Sequence, residues 1–392
     1  MTASEAAATL GVSRQTLYAY VSRGFLSSQS MPGSSRQRGY GRDDVERLQQ
    51  RREARKHPDE AAAHALRWGV PLLESAITMI DGRRLYYRGH DAAMLARTRS
   101  VREIASLIWT GGFDAPELRH APAIVDVKNA QPDAPFAARA QFALVRTAVL
   151  DPLATDLRPE RVARGGWSIL HLMTRAATGV RSSDRPIDEQ LAAAWRAPAG
   201  GVDLIRAALI LCADHELNVS SFTARCVASA GSTPYAVVVA GLSALEGPRH
   251  GGVSARVEAL LMSMRRARDP RASLADRLRR GESLDGFGHP LYPHGDPRAT
   301  ALMDLLEETY PKSRERAFVR AFADAAASLR QDAPTIDFAL AAVARVLRLP
   351  AESPLMLFAI GRTIGWIGHA IEQYGTGQLI RPRAKYVGVV PT

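Results

Sequence analysis

The sequence predicts a mainly α-helical chain in which a small basic unit precedes a large helical body. Three observations carry this. FAARAQFALVRTAVL (136–150), GVDLIRAALILCADHELNVSSFTARCVAS (201–229), PYAVVVAGLSALE (234–246), SARVEALLMSMRRA (254–267) and IDFALAAVARVLRL (336–349) are rich in Ala, Leu and Arg, with apolar residues recurring at about 3.6-residue intervals. Strand-like alternation is nearly absent after residue 90. Residues 1–57 hold nine Arg and one Lys against five Asp or Glu, a local surplus of five positive charges.

Residues 2–10 read as a short helix, with a turn at Gly11 and an N-cap at Ser13. The next helix, RQTLYAYVSRG (14–24), is expected to end on Gly24 as its C-cap, with Leu10, Leu17, Tyr20 and Val21 as core. A polar stretch rich in Gly, Ser and Arg, SSQSMPGSSRQRGY (27–40), leads to a helix from Asp43–Asp44 that stops before Pro58. ITMIDGRRLYYRG (77–89) sets an Asp-Gly turn between two apolar runs and predicts a β-hairpin. Beyond it almost everything reads as helix.

A chain of 392 residues with 46% apolar content has enough material for two or three domains and a large core. Its two cysteines, Cys212 and Cys226, sit in apolar helical sequence and read as buried thiols in a reducing compartment. They are too few for a metal cluster, and no metal site is expected. MTASEAAATL lacks the basic flank and apolar block of a signal peptide, and the apolar runs 207–213 and 235–245 are too short to span a bilayer. The expectation is a cytoplasmic protein with no membrane partner. A net charge of +11 favours an anionic partner: nucleic acid, an acidic cofactor or a dicarboxylate.

GFGHPLYPHGDPRA (286–299) is too broken by Gly and Pro for a helix or a central strand, yet it holds two histidines, an aspartate and an arginine. Loops fixed in this way on a rigid scaffold are common places for chemistry. Around it lie CADHELNVSSFTAR (212–225) with His215, EGPRHGGVS (246–254) with His250, PTIDFALAAVARVL (334–347) with Asp337, and FAIGRTIGWIGHAIEQYGTGQLIRPRAKYVG (358–388). In this order, together with YYRGHDAAML (86–95) and LIWTGGF (107–113), these blocks resemble the citrate synthase family over residues 65 to 392.

The resemblance implies a two-domain helical fold, with a large domain from 60–224 and 331–392 and a small domain from 225–330, and substrate in the cleft between them. It implies an acyltransferase that joins the methyl carbon of acetyl-CoA or propionyl-CoA to oxaloacetate and releases citrate or 2-methylcitrate with free CoA. A thioester methyl is a weak carbon acid, so a base needs an opposing donor that stabilises the enolate. By position Asp337 is that base, His250 the donor to the thioester oxygen, and His289 the group that polarises the ketone. His215, Arg298, Arg362 and Arg381 match the family's oxaloacetate ligands, and guanidinium groups suit a dicarboxylate. Arg381 is expected to reach the other subunit of a homodimer, and Gly286, Phe287 and Gly288 to line CoA, the co-substrate; no bound cofactor is implied.

Three departures stand out: Thr335 where Asn is common before the catalytic Asp, Pro290 after His289, and Arg249 beside His250, where a cation disfavours protonation. His57, His64 and His171 read as core or surface residues, and His294 and His369 as packing or rim residues. The first segment, SEAAATLGVSRQTLYAYVSRGFL with RGYGRDDVERL, resembles the MerR and excisionase class of winged helix-turn-helix domains. That resemblance places Arg14, Gln15, Thr16 and Tyr18 towards a DNA groove and Arg23, Arg36, Arg38 and Arg42 on phosphates. Two other functions fit the same blocks: cleavage of citryl-CoA, and a DNA-binding regulator that senses metabolites through a citrate synthase-like domain.

Overall fold

Thr2 opens α1 (Ala3–Leu10) with a reciprocal capping box to Glu5, and Gly11, at φ +59°, closes it in the left-handed conformation. Ser13 then caps α2 (Arg14–Ser22) by accepting from the Thr16 amide. The cap at the far end is Arg23, and Gly24 lies outside the described residues. The polar stretch after it forms an antiparallel ribbon of β1 (Ser28–Met31) and β2 (Ser34–Tyr40), Ser28 facing Tyr40. Ala6, Ala7, Leu10, Leu17, Leu26, Tyr40 and Val45 close a small core.

This computed structural model describes residues 1–49 (less 24, 32–33, 42–43 and 46–47), 73–118, and 133–389 (less 182, 268, 331 and 385). Of the third helix expected from Asp43–Asp44, positions 44–45 and 48–49 are helical and the remainder lies outside those residues. The chain divides into two compact units, Met1–Glu74 and Ser75–Thr392.

The second unit begins with the expected hairpin, β3 (Thr78–Ile80) and β4 (Leu85–Tyr87), extended by β5 (His90–Asp91) in an antiparallel sheet. Asp81 holds the turn by accepting from the amides of Arg83 and Arg84. Helices follow: α3 (Ala92–Thr98), α4 (Val101–Thr110), α5 (Phe136–Leu150), α6 (Pro159–Thr178), α7 (Ile187–Ala194), α8 (Gly201–Leu211), α9 (Val219–Ser229), α10 (Pro234–Leu245), α11 (Gly252–Arg266), α12 (Pro270–Arg279), α13 (Pro297–Thr309), α14 (Arg314–Arg330), α15 (Ile336–Leu347) and α16 (Ser353–Thr376). The periodic segment 201–229 is therefore two helices. It breaks because Asn218 caps α9, accepting from the amides of Ser220 and Ser221, and Glu216 adopts φ +48°.

α16 is long and apolar enough to cross a membrane, but it is the core helix of this unit, buried against α4, α6, α8, α9 and α10. Three glycines allow its approach. A Cβ on Gly361 would lie 2.5 Å from the Leu209 carbonyl, one on Gly365 2.5 Å from the Ala213 carbonyl, and one on Gly368 2.6 Å from Ile108. The Gly365 amide donates to Ala213 O at 2.9 Å, so the helix backbone lies directly on the turn after α8. We predict that Gly365→Ala destabilises the fold by about 1–3 kcal/mol through overpacking. Gly375→Ala, on the same helix with nothing within 4 Å, should be neutral or stabilising. Urea unfolding of the two variants checks the contrast.

Candidate active site

Three connections build the site, 212–218, 284–296 and the turn 247–251 that carries His250, together with α15 and α16. The turn 212–218 after α8 carries Asp214 and His215. The loop 284–296 carries His289 and Tyr292 and is tied across to 333–335: the Gly288 amide donates to Ala333 O at 2.9 Å and the Thr335 amide to Gly286 O at 2.8 Å. This pairing links the His289 loop to the start of α15, where Asp337 sits in the first turn. Gly286 has to be glycine twice over, with φ +87° and a Cβ position 2.7 Å from Val257. Phe287 packs its ring on Phe338, centroids 5.0 Å apart, and on Phe322. Of the GFG backbone, Gly288 is therefore the exposed part.

One buried carboxylate organises this region. Asp296 caps α13, grips Arg298 through Nε at 2.9 Å and Nη2 at 2.8 Å, and accepts from the Ile336 amide at 3.0 Å. Burial opposes ionisation of both side chains, but each holds the other charged: the carboxyl lies below its usual range and the guanidinium above. Two of the donor positions of Arg298 are thus occupied from within.

The histidines are held by side chains that the sequence reading passed over. His215 Nε2 lies 2.9 Å from the hydroxyl of Tyr292, and its ring meets that of His289 edge-on at 5.2 Å. His289 Nδ1 accepts from the Leu291 amide at 3.2 Å, which puts the proton of the neutral ring on Nε2. His250 Nε2 lies 2.9 Å from Ser220 Oγ, which also receives the Trp366 indole N–H. Asp337 Oδ1 accepts from Ser254 at 2.8 Å. Arg362, 1% exposed, donates through Nε to Cys212 O at 2.8 Å and stacks on Phe358. Its Nη2 is buried with no hydrogen-bond partner among the described residues.

The electrostatics favour neutral rings and a basic carboxylate. Burial, reinforced by Arg362, lowers His250 to about 4. Burial, reinforced by Arg298, lowers His289 to about 4, and His215 shifts the same way from burial and both arginines. Burial raises Asp337 above the ordinary carboxylate range. The cation that acts on His250 is Arg362; Arg249, expected to play that part, points into solvent.

His215, His289 and Arg298 come together around Tyr292, and His250 meets Arg362 across the ring of Phe358. Asp337 lies within the electrostatic reach of both arginines. Arg381 is exposed on the segment after α16, and among the described residues no hydrogen bond or ion pair joins it to this cluster. His294 is exposed, and His369 is fully buried, the packing half of the expectation. In the first unit Arg14, Gln15, Tyr18 and Arg23 are exposed on or just after α2, and Arg38 is exposed on β2. Thr16 is half-buried, and Arg42 and the Arg36 side chain lie outside the described residues.

Residues 65–383 match the family model "Citrate synthase, C-terminal domain". The chain belongs to the citrate synthase family. Residues 1–57 match the model "MerR HTH family regulatory protein". Citrate synthase 2 of Bacillus subtilis is 29% identical over 351 residues, 82% of this chain and 94% of that protein. The 2-methylcitrate synthase of Shewanella oneidensis is 27% identical over 350 residues, 80% of this chain and 91% of that protein. Among solved structures, citrate synthase of the thermophilic archaeon Thermoplasma acidophilum, in a ternary complex with carboxymethyl coenzyme A and oxaloacetate, shares the fold. Its TM-score is 0.69 at 24% identity, covering 82% of this chain and 95% of that one. This citrate synthase family member is thus an enzyme of the citrate or 2-methylcitrate synthase kind, with a helix-turn-helix unit at its N-terminus.

Burial also lowers His171 to about 4. NMR titration of the imidazoles is expected to find His171, His250 and His289 neutral from pH 8 to 6, with midpoints near 4. Unfolding frees these rings to take protons near 6.5, so each withdraws stability as the pH falls from 6.5 through 4 and none above it. An imidazolium signal from any of them at pH 7 contradicts this account.

Proposed function

We propose that the Ser75–Thr392 unit is an acyltransferase that condenses a short acyl-CoA with oxaloacetate and hydrolyses the thioester, releasing citrate or 2-methylcitrate and free CoA. The observation that carries this reading is the buried, unpaired Nη2 of Arg362 beside neutral histidines and a carboxyl of raised pKa. A desolvated cation with a vacant donor favours a carboxylate ligand. A base with a raised pKa suits abstraction of a carbon-bound proton.

Asp337 takes the proton from the carbon next to the thioester carbonyl, while His250 donates a hydrogen bond to the thioester oxygen. The carbon attacks the oxaloacetate ketone, and His289 gives its Nε2 proton to the new alkoxide. Water then cleaves the thioester, releasing the CoA thiol. In this scheme His250 stays neutral and donates from Nδ1, which requires Ser220 to direct its single proton at Nε2. Trp366 can only donate and occupies a lone pair of that hydroxyl, leaving the proton to His250 or Asn218. His215, Arg362, the free N–H groups of Arg298 and Arg381 of a second subunit bind the two carboxylates; Gly286, Phe287 and Gly288 line the CoA path.

The reading carries further parts. The large domain comprises 60–224 and 331–392 and the small one 225–330, with closure excluding water. The protein is a cytoplasmic homodimer: Arg381 is exposed on its own chain, and Phe142, Val145 and Val149 leave an apolar stripe on α5 at helical spacing. The relatives include both citrate and 2-methylcitrate synthases, and one methylene is worth only about 1–3 kcal/mol of discrimination, so both acyl-CoA esters are proposed substrates.

A second reading adds DNA binding by the first unit, favoured by the match to MerR regulators and by exposed Arg14, Gln15, Tyr18, Arg23 and Arg38. It leaves catalysis intact, whereas a pure sensor needs no Asp337 base; citryl-CoA cleavage is the same machinery run in reverse.

With oxaloacetate and acetyl-CoA or propionyl-CoA, free thiol should appear, and Asp337→Asn should cut kcat by about a thousandfold while oxaloacetate binding by calorimetry is retained. Thiol release by the variant at the wild-type rate removes Asp337 from the chemistry. The kcat/KM profile should lose activity on the acid side above the usual carboxylate range, because Asp337 must be ionised to act. For the first unit, genomic DNA fragments should shift in a gel at low salt, less so for Arg14→Ala with Arg38→Ala. No shift at low salt ends the DNA reading.

A further inference from the structure

His369, at 0% exposure on α16, has no part in the chemistry above, yet it lies between two carboxylates. Its Nε2 is 3.2 Å from Asp214 Oδ1 and its Nδ1 4.0 Å from Glu372 Oε2, and neither nitrogen has an aligned hydrogen bond among the described residues. Asp214 is equally buried, and Thr78 donates to its other oxygen at 2.6 Å. Burial opposes charge on Asp214, but His369 and Arg362 hold its carboxyl below the usual range.

The chain of contacts continues away from the site. Glu372 accepts from the Ala76 amide at 2.8 Å and pairs with Arg225, itself 3% exposed, at 3.4 Å. Arg225 Nε donates to Gln373 at 2.8 Å, and Gln373 Nε2 donates to Gln378 O at 2.7 Å. Two residues on, the Ile380 amide donates to Ser229 at 3.1 Å, and the next residue is Arg381. At the other end, the Tyr87 hydroxyl sits among the carbonyls of Ile210, Leu211 and Asp214, at 3.0, 3.2 and 3.3 Å, with one proton to share among them, and His215 follows.

We propose that His369 is a positioning residue: through Asp214 on one side and Glu372, Arg225 and Gln373 on the other, one network of polar and charged side chains sets both the turn that carries His215 and the segment that carries Arg381. The roles of His215 and Arg381 at oxaloacetate rest on the function proposed above; the tie between turn and segment does not. Such a chain of polar and charged groups resists small displacements, because moving a buried member leaves its neighbour desolvated with a poorer partner. The network therefore gives two oxaloacetate ligands, one used in its own subunit and one offered to the partner, a common mechanical reference.

His369→Gln keeps the bulk and removes the ring that faces both carboxylates. In the full-length protein we expect the KM for oxaloacetate to rise about tenfold or more, with kcat and the acyl-CoA KM within about threefold of wild type. Hydrogen exchange of residues 376–384 should quicken, and Glu372→Gln should have the same two effects. A folded His369→Gln protein with wild-type oxaloacetate KM and wild-type exchange overturns the proposal. So does a fall in kcat, or in the fraction of active protein, with KM unmoved, since that marks a merely structural residue. Should His369→Gln not fold, Glu372→Gln is read by the same criteria. If the wild-type protein neither turns over nor binds oxaloacetate, the functional reading fails, and the exchange rates alone decide whether His369 ties the segment.

Discussion

The contact on which the rest depends is the approach of α16 to the backbone of 209–214. Gly361 and Gly365 face the carbonyls of Leu209 and Ala213 at distances where no Cβ fits. Because the helix lies this close, Arg362, one residue beyond Gly361, reaches Cys212 O, and His369, one turn beyond Gly365, reaches Asp214. A helix set back by the thickness of a methyl group would lose both contacts. The glycine spacing is thus a condition for the electrostatics of the site as much as for its packing.

Those electrostatics follow from desolvation. Arg298 and Asp296 neutralise one another, the rings of His215, His250 and His289 are driven neutral, and Arg362 is left with a buried donor unmatched. An anionic ligand would relieve that imbalance, whereas a neutral ligand would leave it. The Leu291 amide fixes the tautomer of His289, and the hydrogen-bond partner of His250 is the Ser220 hydroxyl, whose contacts Trp366 and Asn218 share.

Much of this was legible because the family's motifs are short and local. The hairpin at Asp81–Gly82, the caps Ser13 and Gly11, and the position of Asp337 in the first turn of a helix all follow from nearest-neighbour chemistry. What escaped the sequence depends on distant chain segments. The periodicity of 201–229 concealed a break, since the apolar pattern resumes in phase while Asn218 signals a new start only through its amide contacts. Tyr292, Ser220 and Ser254 acquire meaning from partners 77, 30 and 83 residues away. Arg249 looked important because it adjoins His250 in sequence, but its side chain faces water, and the cation that matters comes from α16. The membrane-length helix 353–376 drew no notice because Arg362, His369 and Glu372 interrupt its apolar run; folding places the first two inside the protein.

The two buried arginines are unequal partners for a ligand. Arg298 is already held by Asp296 in a two-point clamp that also accepts from the Ile336 amide, so moving its guanidinium would disturb the cap of α13 and the entry to α15 together. It can offer the three N–H groups left over, at fixed positions, and little else. Among the described residues Arg362 is anchored at Nε and leaves Nη2 unmatched in a desolvated setting, where a charge-assisted hydrogen bond gains most. In the proposed function recognition is therefore divided: Arg298 would supply a rigid coordinate that aligns a ligand with His215 and His289, and Arg362 the stronger response to its charge. A dicarboxylate carries a second charged group that a monocarboxylate of the same length lacks, and under the proposed function that second charge is a physical basis for choosing between them.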